Sequence, residues 1–203
     1  MLYIPGEASG SSSPAGYPGI YAGALSVWFK VKYPTSALPV WSSSGVVESR
    51  LNFYAFDGHV KSEILRERAE SVHKVQSVLS KVWENSTTCS EFLNRFSIPN
   101  YFTKAEVSPM LADAVAGAVQ YGKKNEMCNR ISKISETDPL GDFLSMIVFL
   151  YGPQFTSECI YSTECLSNTS MSNRWAGTGY SWVLQTCKEL AYFQVGYYKS
   201  LRL

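Results

Sequence analysis

Two glycines, Gly19 and Gly23, flank Ile20 directly before a run of residues with helical periodicity. A nucleophilic serine held on a sharp turn between a strand and a helix needs small flanking residues, because the backbone there is strained and crowded. The N–H after the serine position, here that of Tyr21, then helps to bind the oxyanion of an acyl-transfer reaction. Ile20 has no side-chain proton to lose and no lone pair to attack a carbonyl. The spacing therefore predicts an acyl-transfer turn that lacks its nucleophile.

A second serine lies in a partly similar setting. Ser12, in the segment GSSSPAG, stands two residues after Gly10 and two before Pro14, which makes it an imperfect match to the same turn. A flexible, serine-rich leader is the simpler interpretation of this segment. Ser12 is therefore a weak alternative nucleophile.

The candidates for a general base are equally sparse, because the chain has only two histidines. His73 follows Val72 on a charged helical stretch, where a solvated surface histidine is the simpler interpretation. His59 lies near Asp57, but no serine is arranged around it in the sequence. Asp113, between two alanines, is expected to be a surface or cap-facing charge rather than a member of a catalytic triad. We expect no intact catalytic set among these residues.

The segments around the turn indicate which elements would position it. Apolar residues recur at helical spacing over Tyr21–Lys32, and Tyr33-Pro34 ends the run. The segment ALPVWSSSGVV, residues Ala37–Val47, is short and rich in β-branched and aromatic residues, which is typical of a strand. Before the turn, only LYI, residues Leu2–Ile4, could form a strand. A helix followed by a buried strand is half of a βαβ unit.

After Asp57 the pattern is helical for about a hundred residues and predicts a helical bundle or cap. The predicted helices cover Glu63–Trp83, Ser90–Phe96, Ser108–Tyr121, a segment capped by Asp138 and opened by Pro139 that ends at Gly152-Pro153, and Tyr180–Gln194.

Charge and hydropathy exclude several classes of partner. The formal net charge is +1, and no block of basic residues gives the footprint of a protein that binds nucleic acid or an anionic membrane. The longest apolar run, FLSMIVFLY over Phe143–Tyr151, has about half of the roughly 20 residues that span a bilayer. The cysteines form no C-x-x-C pair and have no nearby histidine, so we expect no metal and no other cofactor.

Five cysteines and two N-x-[ST] sequons, at Asn85 and Asn168, suit an oxidising compartment that glycosylates proteins. An odd number of cysteines leaves at least one thiol unpaired within the chain. Cys159 and Cys165 are close enough to close a small loop, but the pairing stays open. Buried thiols of a cytosolic protein are the alternative. The start of the chain carries no secretory signal.

Four blocks of the sequence occur in an order that resembles one family. YAGALSVWFKVKYP followed by WSSSGVV is similar to an elbow helix and the next strand of the serine exopeptidases that include prolyl carboxypeptidase, dipeptidyl peptidase II and thymus-specific serine peptidase. In that family the elbow reads much like G-G-S-Y-x-G-A-L-S-x-W-F-x-x-K-Y-P. NFYAFD, MLADAVAGAVQYG and WVLQTCKEL continue the match, which covers roughly Gly19–Gln194.

The resemblance implies an α/β fold. It consists of a partial α/β-hydrolase core, made of the elbow helix and the following strand, with a large helical cap insertion, so that this chain is predominantly helical. The resemblance also implies three parts of the chain: a partial core with the elbow at residues 1–56, a helical cap at 57–174 and a return segment toward the core at 175–203.

The chemistry implied by the resemblance is cleavage beside proline or a small residue near a peptide terminus. It would run through an acyl-enzyme, with serine as nucleophile, histidine as base and aspartate orienting the histidine. Carried over residue by residue, the nucleophile falls on Ile20, the oxyanion N–H on Tyr21, and the elbow glycines on Pro18, Gly19 and Gly23. Two of these five positions depart from the family pattern.

The family's aspartate and histidine follow its W-x-x-Q-x-C-x-E block and would lie beyond Leu203. We therefore expect a truncated, inactive peptidase or, alternatively, a non-catalytic peptide-binding module derived from the family. Within that block, Trp182, Gln185 and Glu189 are possible cleft residues, although Trp182 and Gln185 could equally be packing residues. The resemblance also implies a peptide substrate, a secreted or lysosomal or vacuolar location, and a possible homodimer of the full-length protein.

Overall fold

The computed structural model describes residues 20–35, 39–40, 42, 45, 48, 50–64, 66–168, 178–190 and 193–195. The chain divides into two compact units, Met1–Leu51 and Asn52–Leu203. In each unit, most of the described residues are helical, which confirms the prediction of a predominantly helical chain. The predicted division into residues 1–56, 57–174 and 175–203 stays a prediction.

In the first unit, helix α1 spans Ile20–Lys32, in agreement with the predicted Tyr21–Lys32. The strand predicted over Ala37–Val47 is not formed at positions 39–40, 42 and 45, the part of this segment that the structure describes. A strand needs a partner for its backbone ladder, whereas Ser42 and Gly45 contact the backbone of α1 instead. The possible strand over Leu2–Ile4 lies outside the described residues.

The second unit begins with three helices: α2 spans Tyr54–Glu63, α3 spans Arg66–Val82 and α4 spans Ser86–Arg95. The single helix predicted over Glu63–Trp83 is therefore wrong at its start. Its first residue, Glu63, instead ends α2, and the helical conformation is interrupted at the buried Ile64 before α3 begins. The apolar residues Val72, Val75, Leu79 and Val82, which recur at helical spacing along α3, are buried.

Helix α5 spans Lys104–Gln120 and α6 spans Lys124–Ile131. The sequence prediction placed the start of α5 at Ser108, four residues too late, and did not include α6. Pro109 lies within α5. The start is set by Glu106, whose carboxylate accepts hydrogen bonds from the backbone N–H (2.7 Å) and the hydroxyl (2.9 Å) of Thr103.

Helix α7 spans Pro139–Tyr151 and confirms its predicted ends. The Asp138 carboxylate caps it by accepting the N–H of Gly141, and Pro139 stands at the first turn. Gly152 ends it with φ +88°, a conformation that favours glycine. Short 3-10 turns follow at Pro153–Ser157 and Cys159–Tyr161, and then helix α8 at Thr163–Ser167.

The last described helix, α9, spans Thr178–Gln185 and continues as a π-helical turn over Thr186–Leu190. The helix predicted over Tyr180–Gln194 is therefore too long. Phe193 instead forms an isolated parallel bridge with Asn52, in which the Phe53 N–H donates to the Phe193 carbonyl at 2.7 Å. Two segments far apart in sequence thus run side by side at this point of the second unit.

The core of the second unit lies where α7 contacts α3 and α6, and where α5 contacts α2 and α6. Its most deeply buried large side chains are Ile64, Val107, Met110, Val115, Met127, Ile131, Leu144, Met146 and Ile147. No helix among the described residues is both long and apolar enough to cross a bilayer.

Candidate functional site

The predicted nucleophile turn falls at the N-terminus of α1. Ile20 is the first residue of the helix and Tyr21 the second, while Ser12, Pro18 and Gly19 lie outside the described residues. The first N–H groups of any helix have no acceptor within that helix. A residue at the start of α1 therefore stands where backbone donors and the positive end of the helix dipole would act on a developing oxyanion.

Gly23 connects the first two sequence blocks. Its carbonyl accepts hydrogen bonds from the hydroxyls of Ser26 (2.8 Å) and Ser42 (2.9 Å). Gly45 passes so near that an added Cβ would lie 3.0 Å from the carbonyl carbon of Gly23. The small residues of YAGALSVWF and WSSSGVV thus allow the start of α1 and the later segment to approach each other closely.

The two histidines lie on separate helices and are not arranged as a catalytic base. His59 is exposed on α2. On α3, the half-buried ring of His73 hydrogen-bonds to Gln76 within the same helix, with 3.1 Å between Nδ1 and Oε1. The structure brings neither ring to a serine hydroxyl among the described hydrogen bonds.

The possible cleft residues lie along α9 and the turn after it. Trp182 and Gln185 are half-buried, whereas Glu189 is exposed. Thr186 is buried, and its hydroxyl donates to the carbonyls of Trp182 (2.8 Å) and Val183 (2.9 Å), which anchors the change from α-helical to π-helical backbone. The assignment of these residues to a cleft stays a prediction.

A cluster of carboxyl and phenol groups, which the sequence did not predict, lies between α5 and the residues that end and follow α7. Asp113 is half-buried, and its Oδ2 accepts a hydrogen bond at 3.1 Å from the hydroxyl of Tyr161, 48 residues away in sequence. The hydroxyl of Tyr151 donates to the Ala114 carbonyl at 2.7 Å beside it. Asp113, for which the sequence predicted a surface or cap-facing charge, is therefore a half-buried and hydrogen-bonded member of this cluster.

Glu158 completes the cluster, and its environment alters its acidity. The side chain is half-buried and makes no hydrogen bond with the described residues. Burial, followed by the negative charge of Asp113, raises the pKa of Glu158 to about 7. The same two causes hold the pKa of Tyr151 well above its usual range, so this phenol stays protonated. The cluster can therefore take up or release one proton near neutral pH.

No single sequence pattern could have indicated this cluster. Asp113 and Glu158 belong to different elements, and each stands among residues that look like ordinary helix and turn positions. The weak signal was Asp113 itself, a lone acid in the apolar block MLADAVAGAVQYG. A charge among small apolar residues on a packed helix needs a polar partner.

The cysteines and sequons complete the predicted sites. Cys159 and Cys165 form a disulfide, which resolves the pairing that the sequence left open, while Cys89, Cys128 and Cys187 are free thiols. Among the described residues, no three His, Cys, Asp or Glu side chains lie close enough together to hold a metal ion. Asn85 and Asn168 are both exposed.

Comparison with known proteins agrees with the resemblance seen in the sequence. Residues 11–200 match the model of a family described as serine carboxypeptidase S28. The chain is also 27% identical over 200 residues to a protein of Arabidopsis thaliana described as probable serine protease EDA2. The match covers 93% of this chain but only 39% of the length of that relative. No solved structure matches the chain.

Proposed function

The chain belongs to the serine carboxypeptidase S28 family, and we propose that it represents a serine-type exopeptidase whose nucleophile position has lost its chemistry. The observation that carries this proposal is Ile20. It opens α1 at the position onto which the family resemblance carries the nucleophilic serine. A hydrocarbon side chain there cannot form an acyl-enzyme, so this position does not support the serine mechanism.

The same proposal covers the architecture around the turn. Residues 1–56 would contribute the elbow part of an α/β-hydrolase core, and the helices after Asp57 would form its cap. Two features support this: α1 begins at Ile20, and Asn52 pairs in parallel with Phe193, as neighbouring strands of such a core would. The substrate class is a peptide with proline or a small residue near one terminus. A secreted or lysosomal or vacuolar location and a homodimer of the full-length protein complete the proposal.

A peptidase assay tests the loss of chemistry. The full chain, its Ile20→Ser variant and its Ser12→Ala variant would be compared on chromogenic dipeptide substrates that contain proline, with and without a serine-directed covalent inhibitor. We expect no inhibitor-sensitive turnover from the unmodified chain. Turnover that the inhibitor blocks would overturn the proposal, and its disappearance in Ser12→Ala would assign the activity to the alternative serine.

A second candidate function is a non-catalytic peptide-binding module. The self-contained core of the second unit favours it, because a cap with its own buried core can fold and bind without the chemistry. If Ile20→Ser gains turnover, that single side chain separates this chain from an active peptidase. If neither form cleaves but both bind proline-containing peptides in calorimetric titrations, the binding module is supported instead.

A further inference from the structure

Asn85 opens the sequon Asn85-Ser86-Thr87 in the connection between α3 and α4. A sequon needs an accessible asparagine and a hydroxyl two residues later. We propose that Asn85 carries an N-linked glycan and that it does so while its side chain continues to cap α4. The protein would thus use the two ends of one amide group for two purposes.

The cap occupies the oxygen of that amide. Asn85 Oδ1 accepts the backbone N–H groups of Thr87 at 2.8 Å and of Thr88 at 3.3 Å, from an extended backbone with φ −134° and ψ 127°. Because both partners are donors, the atom facing the helix must be the oxygen. Nδ2 therefore points away from α4, and it makes no hydrogen bond with the described residues.

The surroundings of Nδ2 leave room for a sugar. The five residues 84–88 are all exposed. Thr87 contributes its backbone N–H to the cap, so its hydroxyl is not needed there. The folded protein can therefore hold a glycan on Nδ2 without breaking the hydrogen bonds that start α4.

The glycosylation of Asn85 forms one C–N bond and breaks one C–O bond. The co-reactant is an oligosaccharide joined through its C1 to a polyprenyl diphosphate. A C1–N bond forms to Nδ2, the C1–O bond to the diphosphate breaks, and the polyprenyl diphosphate leaves with the bonding electron pair. Nδ2 gives up one proton and keeps the other, and the amide carbonyl is unchanged. No oxidation or reduction takes place.

A separate observation points to the compartment in which this happens. Cys159 and Cys165 form a disulfide in the second unit. Disulfides persist in secreted proteins and in the lumen of the endoplasmic reticulum, where sequons are also modified. For Asn168, the two residues that complete the sequon lie outside the described residues.

The test translates the full 203-residue chain behind a cleavable secretory signal in the presence of microsomes. Removal of the signal shows that the chain has entered. A glycan is then detected as a mobility shift that peptide N-glycosidase abolishes, and it is located by mass spectrometry as the conversion of Asn85 to aspartate. Four variants accompany the wild type: Asn85→Asp, Thr87→Ala, Thr88→Ala and Asn168→Gln.

We expect complete loss of the Asn85 glycan in Asn85→Asp and in Thr87→Ala. Both variants keep a cap acceptor, so a fold defect does not explain the loss. Thr88→Ala removes the neighbouring threonine but preserves the sequon, and it retains the glycan, as does Asn168→Gln. A wild-type chain that loses its signal but shows no glycan at Asn85 would overturn the proposal. So would a mobility shift in both Asn85→Asp and Thr87→Ala that is as large as that of the wild type, because no glycan would then have been lost with the Asn85 sequon.

Discussion

Helices α1 and α7 are both 13 residues long and largely apolar, yet they differ sharply in burial. In α7, Leu144 and Ile147 have no exposed surface. In α1, Leu25, Trp28 and Phe29 remain 40%, 38% and 44% exposed. Equal length and similar composition therefore do not produce equal packing.

The difference arises from what surrounds each helix. Helix α7 lies against α3 and α6, and its start is fixed by the Asp138 carboxylate, which also pairs with the Arg95 guanidinium. Helix α1 belongs to the unit Met1–Leu51, where the described contacts hold its first turns through Gly23 but leave its middle exposed. An apolar helical face needs another surface to cover it, but the sequence of the helix does not provide that surface.

The largest expected effect comes from a matched pair of leucines. Leu144→Ala should lower the free energy of unfolding by about 2–5 kcal/mol, because it leaves a cavity in a filled core. Leu25→Ala should change it by less than about 1 kcal/mol, because the leucine is already partly solvated. Urea denaturation followed by circular dichroism measures both. Equal losses would show that α1 is as firmly packed as α7.

A change of pH should act on the second unit through Glu158. Its pKa is raised in the folded protein, to about 7, so its contribution to stability is fully present below the unfolded pKa of about 4.5 and is lost as the pH rises to about 7. The full shift corresponds to about 3 kcal/mol, and solvent screening at a half-exposed carboxyl reduces this to about 1–2 kcal/mol.

Unfolding measured between pH 4.5 and pH 7 tests this expectation. Glu158→Gln should abolish the loss of stability between these two pH values. Asp113→Asn should only reduce that loss, because burial contributes more than the charge of Asp113 to the raised pKa of Glu158. Glu84→Gln, at an exposed position, is the control. If Glu84→Gln flattened the profile as much as Glu158→Gln, the cluster would not be the source.

The smallest expected effect lies at the start of α1. Ser42→Ala removes the hydrogen bond to the Gly23 carbonyl, which contributes about 1 kcal/mol. Amide hydrogen exchange in peptides covering α1 should then be about fivefold faster, while exchange in α7 is unchanged. Acceleration in both helices would indicate that the two units open together, and no acceleration would mean that this contact does not hold α1.

Local chemistry explains which predictions were accurate. The start of α7 was predicted from Asp138 and Pro139, because a cap and a first-turn proline act within a few residues. The start of α5 was placed at Ser108, which is too late, because the pairing of Thr103 with Glu106 already begins the helix. The strand over Ala37–Val47 was predicted from its β-branched and aromatic composition. A strand also needs a neighbouring strand with which to pair, and composition does not show whether one is present.

The candidate site divides in the same way. The sequence by itself determined the family, the isoleucine at the proposed nucleophile position and the capped start of α7, because each depends on residue identity or on contacts within a few residues. Only the tertiary structure decided that Asp113 meets Tyr161 across 48 residues, and that the Cys159 and Cys165 thiols pair. It also decided that Leu144 is buried while Leu25 is not. These outcomes depend on which surfaces the folded chain brings together, and a local pattern does not specify that.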